Sequence, residues 1–216
     1  MNRRSRATYW LSTGLLLAFP LPHPGSAPDR ARTAPAEPLA VAVLAGGCYW
    51  GMESVFEHVR GVDSVVAGFA TPAGAAEPGA ELPARHRGIA EAVKVFYDPA
   101  EISYGQLLQV YFTVAHDPTQ VDRQGPDVGT RYRSAIFVQG EEQYQAALRY
   151  LEQLRQSATP GRLVVTELVT LREFRAASAD QQDFARKHPD MPYIRINDVP
   201  KIRELRERFP AVYRDE

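Results

Sequence analysis

The sequence predicts an α+β fold, a ferredoxin-like mixed sheet with packed helices and long irregular loops. Three observations carry that expectation. Apolar runs of strand character and helix-period segments follow in the order β-α-β-loop-β-α-loop-β-α-β-α. That order lacks the strict repetition of a parallel βαβ fold. Two stretches rich in turn-forming residues, 71–87 and 117–131, break the pattern. The 216 residues suit one domain with a tail, since a domain is roughly 100–200 residues.

LAVAVLA (39–45) is a short apolar run stopped by two glycines and reads as a buried strand. In GMESVFEHVRG (51–61), Met52, Val55, Phe56 and Val59 recur at helical spacing, and Gly61 is a stop signal. VDSVVAGFA (62–70) is a second strand, 71–87 a loop and IAEAVKVFYD (89–98) a third strand. SYGQLLQVYFTVAH (103–116) is an amphipathic helix with Ser103 as its N-cap. After the irregular segment 117–131, YRSAIFVQ (132–139) is a strand and EEQYQAALRYLEQLRQS (141–157) a helix. LVVTELVTL (163–171) is the last strand. Ser178 caps a short helix through Lys187, and Val199–Phe209 forms the final helix.

Residues 1–27 stand apart from this domain. Arg3, Arg4 and Arg6 precede an apolar run from Tyr9 to about Leu21, followed by Pro, Gly and small residues. That is the layout of a secretory signal peptide. The run is short for a bilayer-spanning helix, which needs about 20 residues, so cleavage is expected over an uncleaved membrane anchor. Residues 28–38, PDRARTAPAEP, read as a Pro/Ala-rich linker, and 39–216 as the domain. The expected location is exported and periplasmic.

Lys+Arg is 25 and Asp+Glu is 26, a formal net charge of −1. Removing 1–27 takes away three Arg and no acid, leaving a mildly acidic domain. This excludes a strongly basic nucleic-acid binder and gives no reason for a membrane-surface role after cleavage. The single cysteine excludes an internal disulfide and a cysteine-rich zinc site, and no metal is expected. A lone thiol in an oxidising compartment is unusual, which marks it as reactive.

That thiol, Cys48, sits in AGGCYWG between a predicted strand and a predicted helix. Free N–H groups at a helix start stabilise a thiolate, so a lowered pKa is expected. Tyr49 and Trp50 follow at once and can build an apolar pocket for a methyl or thioether group. The same residues equally fit a small buried cysteine at a turn, with aromatic core beside it. Glu91 interrupts an apolar strand with no obvious charge partner, which raises a carboxyl's pKa and suits a proton donor; a solvent-facing Glu is the alternative. Asp127 and Tyr132 lie on the Gly-rich run GPDVGTRYRSAIF (125–137), where Asp can order water or amides and Tyr can donate to an oxygen. Turn geometry alone also explains that run. HDPTQ (116–120) reads as a helix stop and turn without chemistry.

AGGCYWGMESVF, GIAEAVKVFYDPAEISYGQLL and HDPTQVDRQGPDVGTRYRSAIF together resemble the methionine sulfoxide reductase A family, the peptide-methionine (S)-S-oxide reductases. HPDMPYIRINDVPKIRELRERFPAVY resembles the C-terminal segment of one branch, so the match runs from about Leu39 to the end. The resemblance implies a thiol enzyme that reduces methionine-S-sulfoxide, free or in oxidised proteins. Cys48 matches the nucleophile, Glu91 the acid that protonates the sulfoxide oxygen, and Tyr132 and Asp127 the DxGTxYR motif. Tyr49 and Trp50 match the aromatic pair around the S-methyl group. Loss of oxygen to sulfur would leave a sulfenic acid on Cys48. With no bound cofactor and no resolving cysteine, the cycle would need an external thiol: a thioredoxin-like protein, a glutaredoxin or a small thiol.

Four departures stand against the family pattern. Tyr49 replaces a Phe, Ile89 a His, and SADQQ (178–182) an EDYHQ stretch, with Gln181 at the His position. The family's further Tyr, expected in the loop before the acid motif, has no counterpart between Phe69 and Tyr97. Loss of one oxygen donor costs roughly 2–4 kcal/mol of transition-state stabilisation, which implies a slower or altered reductase. Two alternatives remain: a related thiol enzyme acting on another small sulfur compound, and a non-catalytic module that binds methionine or sulfoxide.

Overall fold

A computed structural model describes residues 38–74, 88–158 and 161–215. The expected signal peptide 1–27 lies outside the described residues, as do all of the linker 28–38 except Pro38 and most of the loop 71–87.

Strand β1 (Ala40–Gly46) is bonded on both sides, which explains its unbroken apolar sequence. It pairs antiparallel with β3 (Ala90–Tyr97) and with β6 (Ser134–Val138), and β3 pairs antiparallel with β2 (Val62–Pro72). Strand β7 (Glu167–Ala176) then joins β2 antiparallel and β6 parallel, closing the order β1-β3-β2-β7-β6 into a barrel. The mixed α/β class with a sheet is therefore present, but the ferredoxin-like description is not confirmed. The difference lies in β7, whose two ladders leave the five-stranded sheet no open edge.

β7 also starts later than the apolar run 163–171. Its second half, Arg172–Ala176, is largely charged and exposed, because only the ladder to β2 holds it. Two tiny strands, β4 (Arg123–Gln124) and β5 (Asp127–Val128), sit in the segment predicted to be irregular. Tyr132 belongs to a 3-10 turn, Thr130–Tyr132, ahead of β6.

Helix α1 (Tyr49–Glu57) packs Met52, Val55 and Phe56 against the sheet with no exposed surface. Such side chains contribute about 1.5–3 kcal/mol each when fully buried. Helix α2 (Tyr104–Val110) starts at the predicted Ser103 cap, with a capping box to Gln106, and passes into a π turn, Tyr111–Ala115. Helix α3 (Glu141–Ser157) matches its predicted span. The helix expected from Ser178 is confined to α4 (Phe184–Lys187), since Asp183 is left-handed (φ 54°). Helix α5 (Pro192–Asn197) was not predicted; Pro192 starts it, and α6 (Val199–Arg208) follows.

The π turn serves the end of β1. The Tyr111 hydroxyl donates to the Ala45 carbonyl (2.7 Å) and lies 3.1 Å from Ser134 Oγ. His116 bonds the Tyr111 carbonyl at 2.9 Å and Ser134 Oγ at 2.7 Å. HDPTQ is thus structural at its first residue. Burial pushes His116 down from 6.5 to about 4, so it is neutral in the folded protein. A depressed folded value means that its stability contribution is present above 6.5 and is lost as pH falls through about 4. Denaturant titrations should show wild type losing up to about 3 kcal/mol relative to His116→Gln between neutral pH and pH 4. A constant gap between the two would contradict a buried neutral imidazole.

Candidate active site

Strand register brings the reactive residues to one end of the barrel. With Leu44 opposite Val93, β1 runs out toward Cys48 as β3 runs back toward Glu91. Gly47, with φ of 101°, makes the turn, and Gln124 of β4 closes over it: a Cβ at Gly47 would lie 2.6 Å from the Gln124 Cβ. A side chain there would clash and strain the backbone together.

Cys48 is the N-cap residue of α1 and is partly buried. The Tyr49 N–H donates to Glu91 Oε2 at 3.3 Å, so the first amide of the helix joins the cysteine turn to the acid. The Trp50 amide at the helix start acts to lower the thiol, although no side-chain capping hydrogen bond forms at Cys48. The expectation of a depressed thiol is nevertheless overturned. Burial, joined by the charges of Glu91, Asp198 and Asp127, outweighs that N–H and pushes Cys48 up to about 12. The resting sulfur is a thiol.

Glu91 is buried, and its value is raised chiefly by burial, in the direction the sequence predicted. It does have a charge partner: Arg131 Nε lies 3.3 Å from Oε1. Tyr132 is half-buried and feels Glu91, Arg131, Asp127 and Cys48, which places it in the same cluster. Asp127 accepts a short hydrogen bond from the Tyr193 hydroxyl of α5.

An aromatic wall continues from the cysteine. Trp50 stacks on Phe184 (3.8 Å between centroids, 10° between planes) and meets the edge of Tyr193 at 5.7 Å. Tyr49 packs edge-on against Phe69 at 5.7 Å. Gln181 ties the pair together, since its Oε1 accepts from Trp50 Nε1 (3.1 Å) and from the Tyr49 hydroxyl (3.4 Å). The hydroxyl that distinguishes Tyr49 from Phe therefore has a partner.

All six residues singled out from the sequence, Cys48, Tyr49, Trp50, Glu91, Asp127 and Tyr132, are brought together. Sequence reasoning missed Arg131, Phe184, Tyr193 and Asp198. Asp198, 2% exposed at the start of α6, has Oδ1 3.7 Å from Lys201 Nζ, and its Oδ2 has no partner among the described residues. Burial pushes it up to about 6. The one available signal was aromatic enrichment in 184–193, since an isolated Asp carries none.

Comparison with known proteins bears on this cluster. A family model, "Peptide methionine sulfoxide reductase", matches residues 40–212. Peptide methionine sulfoxide reductase MsrA 2 of Mesorhizobium japonicum is 44% identical over 172 residues, 80% of this chain and 88% of that protein. Its namesake from Synechocystis is 43% identical over 168 residues, 78% of each. Among solved structures, methionine sulfoxide reductase A of Corynebacterium diphtheriae has a TM-score of 0.56 at 32% identity, covering 70% of this chain and 76% of that one. Reduced Mxr1 of Saccharomyces cerevisiae shares the fold, with a TM-score of 0.60 at 24% identity, covering 71% and 87%.

Proposed function

The chain belongs to the peptide methionine sulfoxide reductase family, and from that premise we propose that it reduces methionine sulfoxide in a thiol-dependent reaction carried by its own residues. The observation that carries the proposal is the Tyr49 amide on Glu91, which sets a buried carboxyl beside the sulfur of Cys48.

Methionine-S-sulfoxide enters with its methyl group against Tyr49 and Trp50. Its oxygen faces Glu91 and the Tyr132 hydroxyl. The Cys48 proton leaves for the carboxylate, and the thiolate attacks the sulfoxide sulfur. Glu91 protonates the oxygen, and the resulting hydroxyl passes to the Cys48 sulfur as the bond between the two sulfurs breaks and its electron pair stays with the thioether. The sulfoxide and the Cys48 thiol thereby become a thioether and a sulfenic acid: sulfur is reduced in one and oxidised in the other. Asp127, held by Tyr193, orders the substrate side of the cleft. With one cysteine in the sequence, an external thiol completes the cycle. It displaces water from the sulfenic acid, and a second thiol, on the same reductant or on another molecule of it, resolves the mixed disulfide. A thioredoxin-like protein, a glutaredoxin or a small thiol would serve. The reading of 1–27 as an export signal places the reaction, in this proposal, in the periplasm.

Single turnover with each sulfoxide epimer and no reductant tests the scheme. One equivalent of methionine should form from the S epimer, with one added oxygen on Cys48 by mass spectrometry. Product formed beside an unmodified Cys48 would reject the sulfenic route.

A further inference from the structure

Glu91 is engaged at both oxygens in the resting site. Oε2 takes the Tyr49 N–H, and Oε1 lies against Arg131 Nε. Arg131 comes from the same 3-10 turn as Tyr132, with its guanidinium carbon 5.5 Å from the centre of that ring. The Glu91 side chain is 6% exposed and that of Arg131 is 55% exposed. One partner is thus sealed within the site, and the other stands at its rim with room to move.

Resting on the reductase reading above, we infer that Arg131 is a latch on Glu91: its guanidinium occupies the carboxylate oxygen that must face the substrate, and the sulfoxide oxygen has to displace it before the acid can act. A donating carboxyl needs its O–H turned toward the acceptor. Oε2 is committed to the backbone, so the proton belongs on Oε1. Once protonated there, the oxygen can accept the Arg131 N–H only as a neutral, weakly basic hydroxyl, so the charge-assisted contact is lost. While the ion pair stands, Glu91 remains a carboxylate.

The groups facing Glu91, among the described residues, give the latch its effect. Cys48 and Tyr49 lie on the α1 side, Asp127 comes from β5, and Tyr132 shares the turn of Arg131. From β7, Arg175 stands 5.5 Å from the ring of Phe69, the β2 residue paired with Glu91. Sulfur and carboxyl share one proton. It rests on Cys48 while Arg131 holds the carboxylate, and it must sit on Glu91 for reaction. Arg131 favours the first arrangement, and arrival of a neutral sulfoxide releases it. It is a positioning residue, acting on the substrate only through Glu91.

The pH dependence of kcat/KM for methionine-S-sulfoxide, in wild type, Arg131→Gln and Arg131→Lys, tests this. In such a coupled pair the acid limb records Glu91 losing its proton while Cys48 is still a thiol. Arg131→Gln should move that limb up by roughly one pH unit, leaving the alkaline limb in place. Arg131→Lys should restore it. Without substrate, Arg131→Gln should speed alkylation of Cys48 by iodoacetamide severalfold at neutral pH, and it should have no effect in a Glu91→Gln background. An unmoved acid limb in an active Arg131→Gln enzyme, or equal acceleration in both backgrounds, would overturn the latch. Failure of wild type to reduce the sulfoxide at all would instead overturn the reductase reading beneath it.

Discussion

Cys48→Ser is expected to abolish sulfoxide reduction, and Glu91→Gln to slow it by roughly 10²–10⁴-fold with the thiol still alkylatable. The two losses differ in kind. Serine keeps the shape of the turn but offers an oxygen that ionises far less readily than sulfur and cannot pass through a sulfenic acid. Glutamine keeps the acceptor for the Tyr49 amide, held at 3.3 Å, so the turn stays in place while the proton donor is gone. It also removes a negative charge that helps to raise the Cys48 thiol. Alkylation of Cys48 should therefore be no slower in Glu91→Gln than in wild type. Single-turnover methionine formation and iodoacetamide labelling measure the two properties separately. Full reduction by Glu91→Gln would remove Glu91 from the acid role.

Gly51→Ala is expected to destabilise the protein and to slow the reaction, against the trend for glycine in a helix. Propensity alone favours alanine by about 1 kcal/mol. The contact decides otherwise. A Cβ on Gly51 would fall 2.1 Å from Asp198 Oδ1, 2.8 Å from its Cγ and 3.0 Å from Lys201 Nζ. Asp198 is buried and cannot simply swing away. Overpacking of this kind costs about 1–3 kcal/mol. At this chain length each kcal/mol lowers Tm by about 2–4 °C. Gly51 is three residues beyond Cys48, so any shift of α1 also moves the nucleophile. Gly105→Ala in α2 is the control, since its Cβ would meet only Ser103 Oγ at 3.9 Å and should raise stability. A thermal melt of both variants settles the sign. If Gly51→Ala gains stability as Gly105→Ala does, the contact between Asp198 and α1 is absent in solution.

The departures from the family pattern take on a physical meaning in three dimensions. Gln181 fills a His position with an acceptor for two aromatic donors, and Tyr49 supplies one of them. The substitutions are thus coupled, and the hydrogen bond between them joins α1 to the segment before α4. Tyr193 brings a phenol to Asp127 from an element that the sequence analysis did not identify.

The sequence by itself determined what depends on neighbours along the chain. The apolar run before Gly46, the spacing of Met52, Val55 and Phe56, and the Ser103 cap are local signals, and β1 and the start of α2 stand where those signals placed them. Helix α1 instead begins at Tyr49 and ends at Glu57, short of the expected Gly61, because Val59 bridges to Tyr213. Cys48 and Glu91 were candidates from their surroundings, each with a structural alternative beside it, and the resemblance to the reductase family is what singled them out. Tertiary structure alone decided the rest. β7 closes the barrel through ladders to two distant strands, and its charged half carries no strand pattern of its own. Arg131 finds Glu91, and Asp198 finds Gly51, across gaps in the chain that no periodicity spans. Above all, the proton stays on sulfur because burial and three carboxylates outweigh one helix amide. Desolvation is a property of the whole surroundings, so the resting charge of the cysteine could be read only once they were assembled.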